Sequence, residues 1–293
     1  MQIWSNIVNN FKQGSYHTRL LYINLGVFAS VSILILAFKL LGTNVSWVVR
    51  YLEMPAYVGH WIYQPWSILT YMFLHLDFIH FIFNALALYW FGTLFSQFFS
   101  QKQLVGVYIL GGIGGALLYV LGYSFLPYFS VALQQSYLLG ASASVMAIIF
   151  ATVLYAPNFE ISLVLIGKVK LKYIGLALFG IDLLGITSVN AGGSIAHIGG
   201  ALTGIVFTYL YVNKQIDLSN GISWILNKTA TRFAPKPKIK VSYGNAKTDA
   251  EWNLEKKAKN DAIDIILEQI KKSGYDNLTS EQKKILFDIS KKN

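Results

Sequence analysis

Residues 20–41 read LLYINLGVFASVSILILAFKLL, and the only charged side chain among them is Lys39, close to the end. A bilayer core about 30 Å thick needs about 20 mostly apolar residues in a helix. Lys39 can extend its methylene stem and keep its ammonium in the headgroup layer. The stretch is too long and too evenly apolar for a signal peptide, and no small-residue cleavage pattern follows, so it reads as a retained membrane span. Applied outward, the same test finds 70–95, 104–123, 138–155, 171–186 and 195–212. The expected fold is an all-α membrane protein, a bundle of six spans, and no internal repeat interrupts it.

Composition agrees. Of 293 residues, 54% are hydrophobic and only 13% charged, against about a quarter charged in soluble domains. Mean hydropathy is +0.47. A chain so poor in charge cannot cover a soluble surface of this size, and it is too apolar to be disordered. There is no cysteine, which excludes disulfides, a thiolate metal site and a thiol nucleophile. Neither a metal nor a cofactor is expected. The net charge is +10, and its distribution orients the chain. Lys12 and Arg19 precede the first span, Lys102 follows the second, and Lys168, Lys170 and Lys172 follow the fourth. The alternate loops hold only Arg50 in the first, and no Lys or Arg in 124–137 or 187–194. By the positive-inside rule both termini face the cytoplasm. An inner cell membrane, multi-pass location follows as an expectation.

The organisation expected is a cytoplasmic N-terminus (1–19), a six-helix domain (20–213), an interfacial segment and linker (214–247) and a cytoplasmic helical hairpin (248–293). Within 214–247, Ile222, Trp224, Ile225, Leu226 and Phe233 beside Lys228 and Arg232 suggest an amphipathic helix on the membrane surface. Pro235-Lys236-Pro237-Lys238 reads as an extended linker. Apolar positions from Trp252 to Ile270 predict a helix over 249–272 with Gly274 as its C-terminal cap, and Thr279 with Gln282 forms a capping-box pattern. The tail lysines alternate with Asp and Glu, so they fit a solvated helix face near anionic lipid and not a nucleic-acid surface.

Strongly polar residues inside a span are costly and mark functional sites. Here they are His75, Asp77, His80, Asn84, Ser142, Ser144, Asp182 and His197. The second, fourth and sixth spans start on the non-cytoplasmic side, which places His80, Asn84, Ser142 and His197 at similar shallow depth. Serine needs a base within hydrogen-bond reach to act as a nucleophile, and histidine supplies one. Gly140-Ala141-Ser142-Ala143-Ser144 and His197-Ile198-Gly199-Gly200-Ala201, with Gly204 one turn on, let the two helices approach closely. His80 and Asn84, spaced i and i+4, share a face and can donate to a developing oxyanion, as can the Ser142 backbone N–H. Ser144 points about 200° away from Ser142 and reads as packing. His75 does not share the His80 face and is expected to anchor the first loop. Asp77 is expected at the interface. Asp182 is expected to bond backbone or another helix and not to be a third catalytic member. Gly111-Gly112-Ile113-Gly114-Gly115 lacks the Lys-Ser/Thr of a phosphate loop and reads as close helix packing.

At these residues the chain resembles the rhomboid family of intramembrane serine proteases. The resemblance rests on Gly140-Ala141-Ser142-Ala143, on Ala196-His197-Ile198-Gly199-Gly200 and on His75-x4-His80-x3-Asn84, and extends over about 66–211. It implies a Ser142–His197 dyad without a catalytic acid, an oxyanion hole of His80, Asn84 and the Ser142 N–H, supporting roles for His75, Gly140 and Gly200, and transmembrane proteins as substrates. The tail resembles the C-terminal extension of rhomboids from Bacteroidetes-type bacteria. Four positions depart from the family pattern. Ala143 stands for glycine, Trp66-Ser67 for a Trp-Arg pair, Met146 for an aromatic over the histidine, and Ser96 or Gln97 for an acidic residue. The implied activity is endopeptidase cleavage in or beside a membrane helix. The gap 187–194, with Gly192-Gly193, is expected to act as a lid or a plain turn. Two other readings are a transporter, for which the lower halves of the spans offer no polar path, and a non-proteolytic rhomboid-like binding or chaperone protein, which would lack the serine or the histidine.

Overall fold

A computed structural model describes residues 8–9, 11, 13–163, 166–233 and 249–290. It divides into two compact units, 1–234 and 235–293. In the first unit the helices are α1 (Tyr16–Leu40), α2 (Ser46–Arg50), α3 (Val58–Trp61), α4 (Ser67–Thr70), α5 (Phe78–Phe95), α6 (Gln101–Phe125), α7 (Ser142–Tyr155), α8 (Leu171–Gly185), α9 (Ala191–Lys214) and α10 (Ser219–Phe233). Two short antiparallel ladders join them, β1 (Met54–Pro55) with β2 (Tyr137–Leu138), and β3 (Glu160–Leu163) with β4 (Gly167–Lys170).

Each apolar stretch of the sequence contains a helix. Four of these helices, α1, α5, α6 and α9, are long and apolar enough to cross a membrane. The other two, α7 and α8, have 14 and 15 residues, roughly 21–23 Å at about 1.5 Å per residue. The second stretch begins as a helix only at Phe78, because Tyr71–Phe73 is a single 3-10 turn and Asp77 caps α5. Asp77 is thus a helix cap, its Oδ1 accepting from the His80 N–H at 2.7 Å. The fourth stretch is extended over Tyr137–Leu138 and turns at Gly140 before α7 starts.

The core is where α6, α7 and α9 meet, and small residues make that meeting possible. A methyl group on Gly111 would overlap Ala147, one on Gly114 would overlap Thr203, and one on Gly200 would overlap the Ala143 carbonyl. The glycine run of α6 is therefore a packing surface. The Ala143 methyl, 1% exposed, is housed opposite Gly115. By contrast α1 leaves Ile33, Leu36 and Leu40 exposed, as a lipid-facing helix would. It is tied in by Asn24, whose Nδ2 donates to Tyr108 Oη at 3.2 Å, while that hydroxyl donates to the Met72 carbonyl at 2.9 Å.

The first loop is folded by its own polar groups. Trp66 Nε1 donates to the Tyr51 carbonyl at 2.8 Å and Thr70 Oγ1 to the Leu52 carbonyl at 2.8 Å. Ser67 is fully buried against Met54, a place without room for an arginine. Burial pushes the Glu53 carboxyl up, against the opposing pull of Arg50. The β1–β2 ladder fastens this loop to the segment leading into α7.

α10 packs on α6, with Gln103 Nε2 donating to Asp217 Oδ2 at 3.0 Å in the preceding turn. The helix expected on the membrane surface thus also rests on the bundle. The proline-lysine linker lies outside the described residues. The second unit holds α11 (Asp249–Ser273) and α12 (Ser280–Ser290). Gly274, at φ +82°, ends α11. Thr279 and Gln282 close a reciprocal capping box, with Gln282 Oε1 accepting from the Thr279 N–H at 2.9 Å and Thr279 Oγ1 from the Gln282 N–H at 3.3 Å.

Candidate active site

Ser142 is the first residue of α7. Several threonines in these helices bond back to their own turn: Thr93, Thr152 and Thr203 each donate to the carbonyl four residues earlier. Ser142 cannot, because the preceding residues are extended and turned. Its Oγ has no hydrogen-bond partner among the described residues. Its backbone N–H belongs to the first turn, where no intrahelical acceptor exists and the helix dipole is positive.

The turn that delivers Ser142 depends on Gly140. Its φ is +116°, a conformation L side chains rarely adopt, and a Cβ there would lie 2.8 Å from His80 Cε1. The Gly140 N–H donates to the Tyr71 carbonyl at 2.9 Å. The Ala141 N–H reaches His75 Nε2 at 3.4 Å. His75, 1% exposed, therefore braces the turn before Ser142, where the sequence suggested an anchor for the first loop.

His80, Asn84, Ser142 and His197 line one cavity of about 840 Å³. Its other walls include Met146, Ile149 and Leu178, and Gln135, Ser136, Tyr137 and Asn190 from the two loops that carry no Lys or Arg. Asn84 Nδ2 donates to the His80 carbonyl at 3.0 Å, which commits one of its two amide hydrogens and leaves the second. Ser144 is apart from this cavity, fully buried with Oγ against Met72. Gly192 and Gly193 lie in the first turn of α9, so they are helical and not the hinges of a loop.

Asp182 is the residue whose place the sequence did not reveal. It sits on α8, and its Oδ1 is 2.7 Å from His197 Nδ1 on α9. The expectation of a bond to another helix is met, with the histidine as partner. Fifteen residues and a helix-to-helix turn separate the two, so no spacing rule could have paired them.

A helical bundle whose longest helices are apolar enough to cross a membrane, with a serine and a histidine lining one cavity, defines a polytopic membrane protein. The rhomboid domain family matches residues 63–214, and the chain belongs to the rhomboid family. Residues 246–292 match a family of unknown function, DUF6576. The RHOMBOID-like protein 12, mitochondrial, of Arabidopsis thaliana is 31% identical over 144 residues, which cover 46% of this chain and 43% of that protein. The chain spans less than half the length of this curated relative.

Proposed function

We propose that this protein is an intramembrane serine endopeptidase that cleaves transmembrane or membrane-adjacent segments of other membrane proteins. The observation that carries the reading is the cavity shared by Ser142, at an uncapped helix N-terminus, and His197, with His80 and Asn84 beside them. Ser142 Oγ attacks the scissile carbonyl carbon and His197 takes its proton. The carbonyl electron pair moves onto oxygen, which receives hydrogen bonds from the Ser142 N–H, His80 and Asn84. Collapse expels the amine, which leaves with the proton held by His197. Water then resolves the acyl-enzyme by the same steps. A substrate helix must expose its backbone to be attacked, and helix-breaking residues in its span favour that. The cavity walls from loops 126–141 and 186–190 support an opening toward the non-cytoplasmic face, with both termini cytoplasmic in an inner cell membrane. The partners are then transmembrane substrates and the surrounding lipid.

Purified protein in lipid vesicles should cleave a single-span substrate, and Ser142→Ala and His197→Ala should each abolish cleavage. A fluorophosphonate should label Ser142 in the unsubstituted protein and not in His197→Ala. Normal cleavage by both variants removes the mechanism. Absence of labelling in any lipid points to a non-proteolytic rhomboid-like binding or chaperone protein.

A further inference from the structure

The helix α8 is poorly covered. Leu176, Ile181, Leu183 and Leu184 are all more than half exposed, yet Asp182 among them is 7% exposed. A carboxylate in a membrane helix is costly unless it finds a partner. Asp182 has one, His197 Nδ1 at 2.7 Å, and no other hydrogen-bond partner among the described residues. The imidazole in turn has few other constraints. No aromatic ring packs on His197 among the described residues, and the side chain one turn after Ser142 is the flexible thioether of Met146. A carboxylate oxygen accepts, so the 2.7 Å contact suits a proton on Nδ1, which leaves the Nε2 lone pair for the cavity that Ser142 also lines.

We propose that Asp182 is a positioning residue for His197, so that the site works as Ser142–His197–Asp182 and not as a two-residue dyad. The inference rests on the peptidase reading above. Asp182 holds the imidazole in the tautomer that can accept a proton at Nε2, fixes its orientation, and stabilises the imidazolium formed during attack. The Ser142 proton moves to His197 Nε2 as the Oγ–C bond forms, and later passes to the leaving amine nitrogen. Asp182 keeps its charge throughout and takes no proton. Because the acid and the base stand on different helices, the seating of α8 against α9 also sets how well the base is aimed.

The full-length protein in lipid tests this with Asp182→Asn and Asp182→Glu. Three quantities are read: kcat and KM on a transmembrane substrate, the rate of Ser142 labelling by a fluorophosphonate, and the nitrogen NMR signals of labelled histidine. The chain has five histidines, and His197 is assigned by the signal that vanishes in His197→Ala. Asp182→Asn preserves shape and should lower kcat and the labelling rate roughly 10²-fold, within the range for losing general-base assistance. KM should stay within about twofold, since the substrate does not touch Asp182. The Nδ1-protonated signal of His197 should lose its dominance, and Asp182→Glu should restore part of both. An Asp182→Asn protein with unchanged kcat and an unchanged His197 signal overturns the proposal. So does a loss of activity that tracks loss of folding and is not relieved by glutamate. If Asp182→Asn does not fold, Asp182→Glu decides: full activity without the Nδ1-protonated signal overturns the role, and its retention with activity supports it. Ser142→Ala and His197→Ala separate the two levels. If both are inactive while Asp182→Asn is normal, only the positioning role fails; if both cleave normally, the peptidase reading itself fails.

Discussion

Gly140 carries two independent demands. Its φ of +116° disfavours any side chain, and its Cα faces the edge of the His80 ring. Gly140→Ala should therefore cost about 1–3 kcal/mol in backbone strain and push either His80 or Ser142 out of place. The expected outcome is a lowered melting temperature in lipid together with at least a tenfold loss of kcat. A variant with normal kcat would show that the turn before Ser142 tolerates a different backbone. His75 supports the same turn through the Ala141 N–H. The polar residues of this region thus meet one another over a few ångströms, through contacts that spacing along the chain does not express.

Helices α6, α7 and α9 approach closely because glycine faces alanine or backbone at each crossing. A methyl on Gly204 would overlap the Ala147 carbonyl oxygen, as one on Gly200 would overlap that of Ala143. Neither neighbour is the end of a flexible side chain, so the helices themselves must move apart. Overpacking of this kind costs roughly 1–3 kcal/mol. Gly204→Ala, a full turn beyond Gly200 and away from the cavity lining, should lower the melting temperature and reduce cleavage by widening the α7–α9 distance. Because the substitution is remote from the cavity, its KM should change less than its kcat. Equal stability and kcat in Gly204→Ala would mean that the crossing is loose. The glycine pattern was legible in the sequence as a packing face, since small residues at four-residue spacing line one side of a helix. Which neighbour each glycine meets was not.

For the whole molecule, charge distribution predicts the arrangement in the membrane. Residues 1–213 hold eight Lys/Arg against four Asp/Glu, and the remaining sixteen and ten lie beyond. Apart from Arg50, the loop basic residues fall in alternate gaps, and they predict that 124–137 and the β3–β4 hairpin face opposite sides. The absence of cysteine makes this direct to test with single cysteines at Ser130 and Lys168. In inside-closed cells, a membrane-impermeant maleimide should modify position 130 and leave 168 unmodified until the membrane is opened. The reverse pattern would invert the topology and with it the side to which the cavity opens.

The sequence by itself determined that this is a helical membrane protein of the rhomboid family, because runs of apolar residues, glycine faces and short motifs are local properties that survive without coordinates. It also singled out Ser142, His197, His80 and Asn84, since a polar side chain in lipid is conspicuous at any position. It did not determine helix limits at 78 and 142, which depend on a cap and on a turn pinned by the β1–β2 ladder and by His75. It did not reveal the partner of Asp182. That pairing depends on the rotation of α8 about its own axis and on its distance from α9, quantities fixed only when every helix is packed against the others.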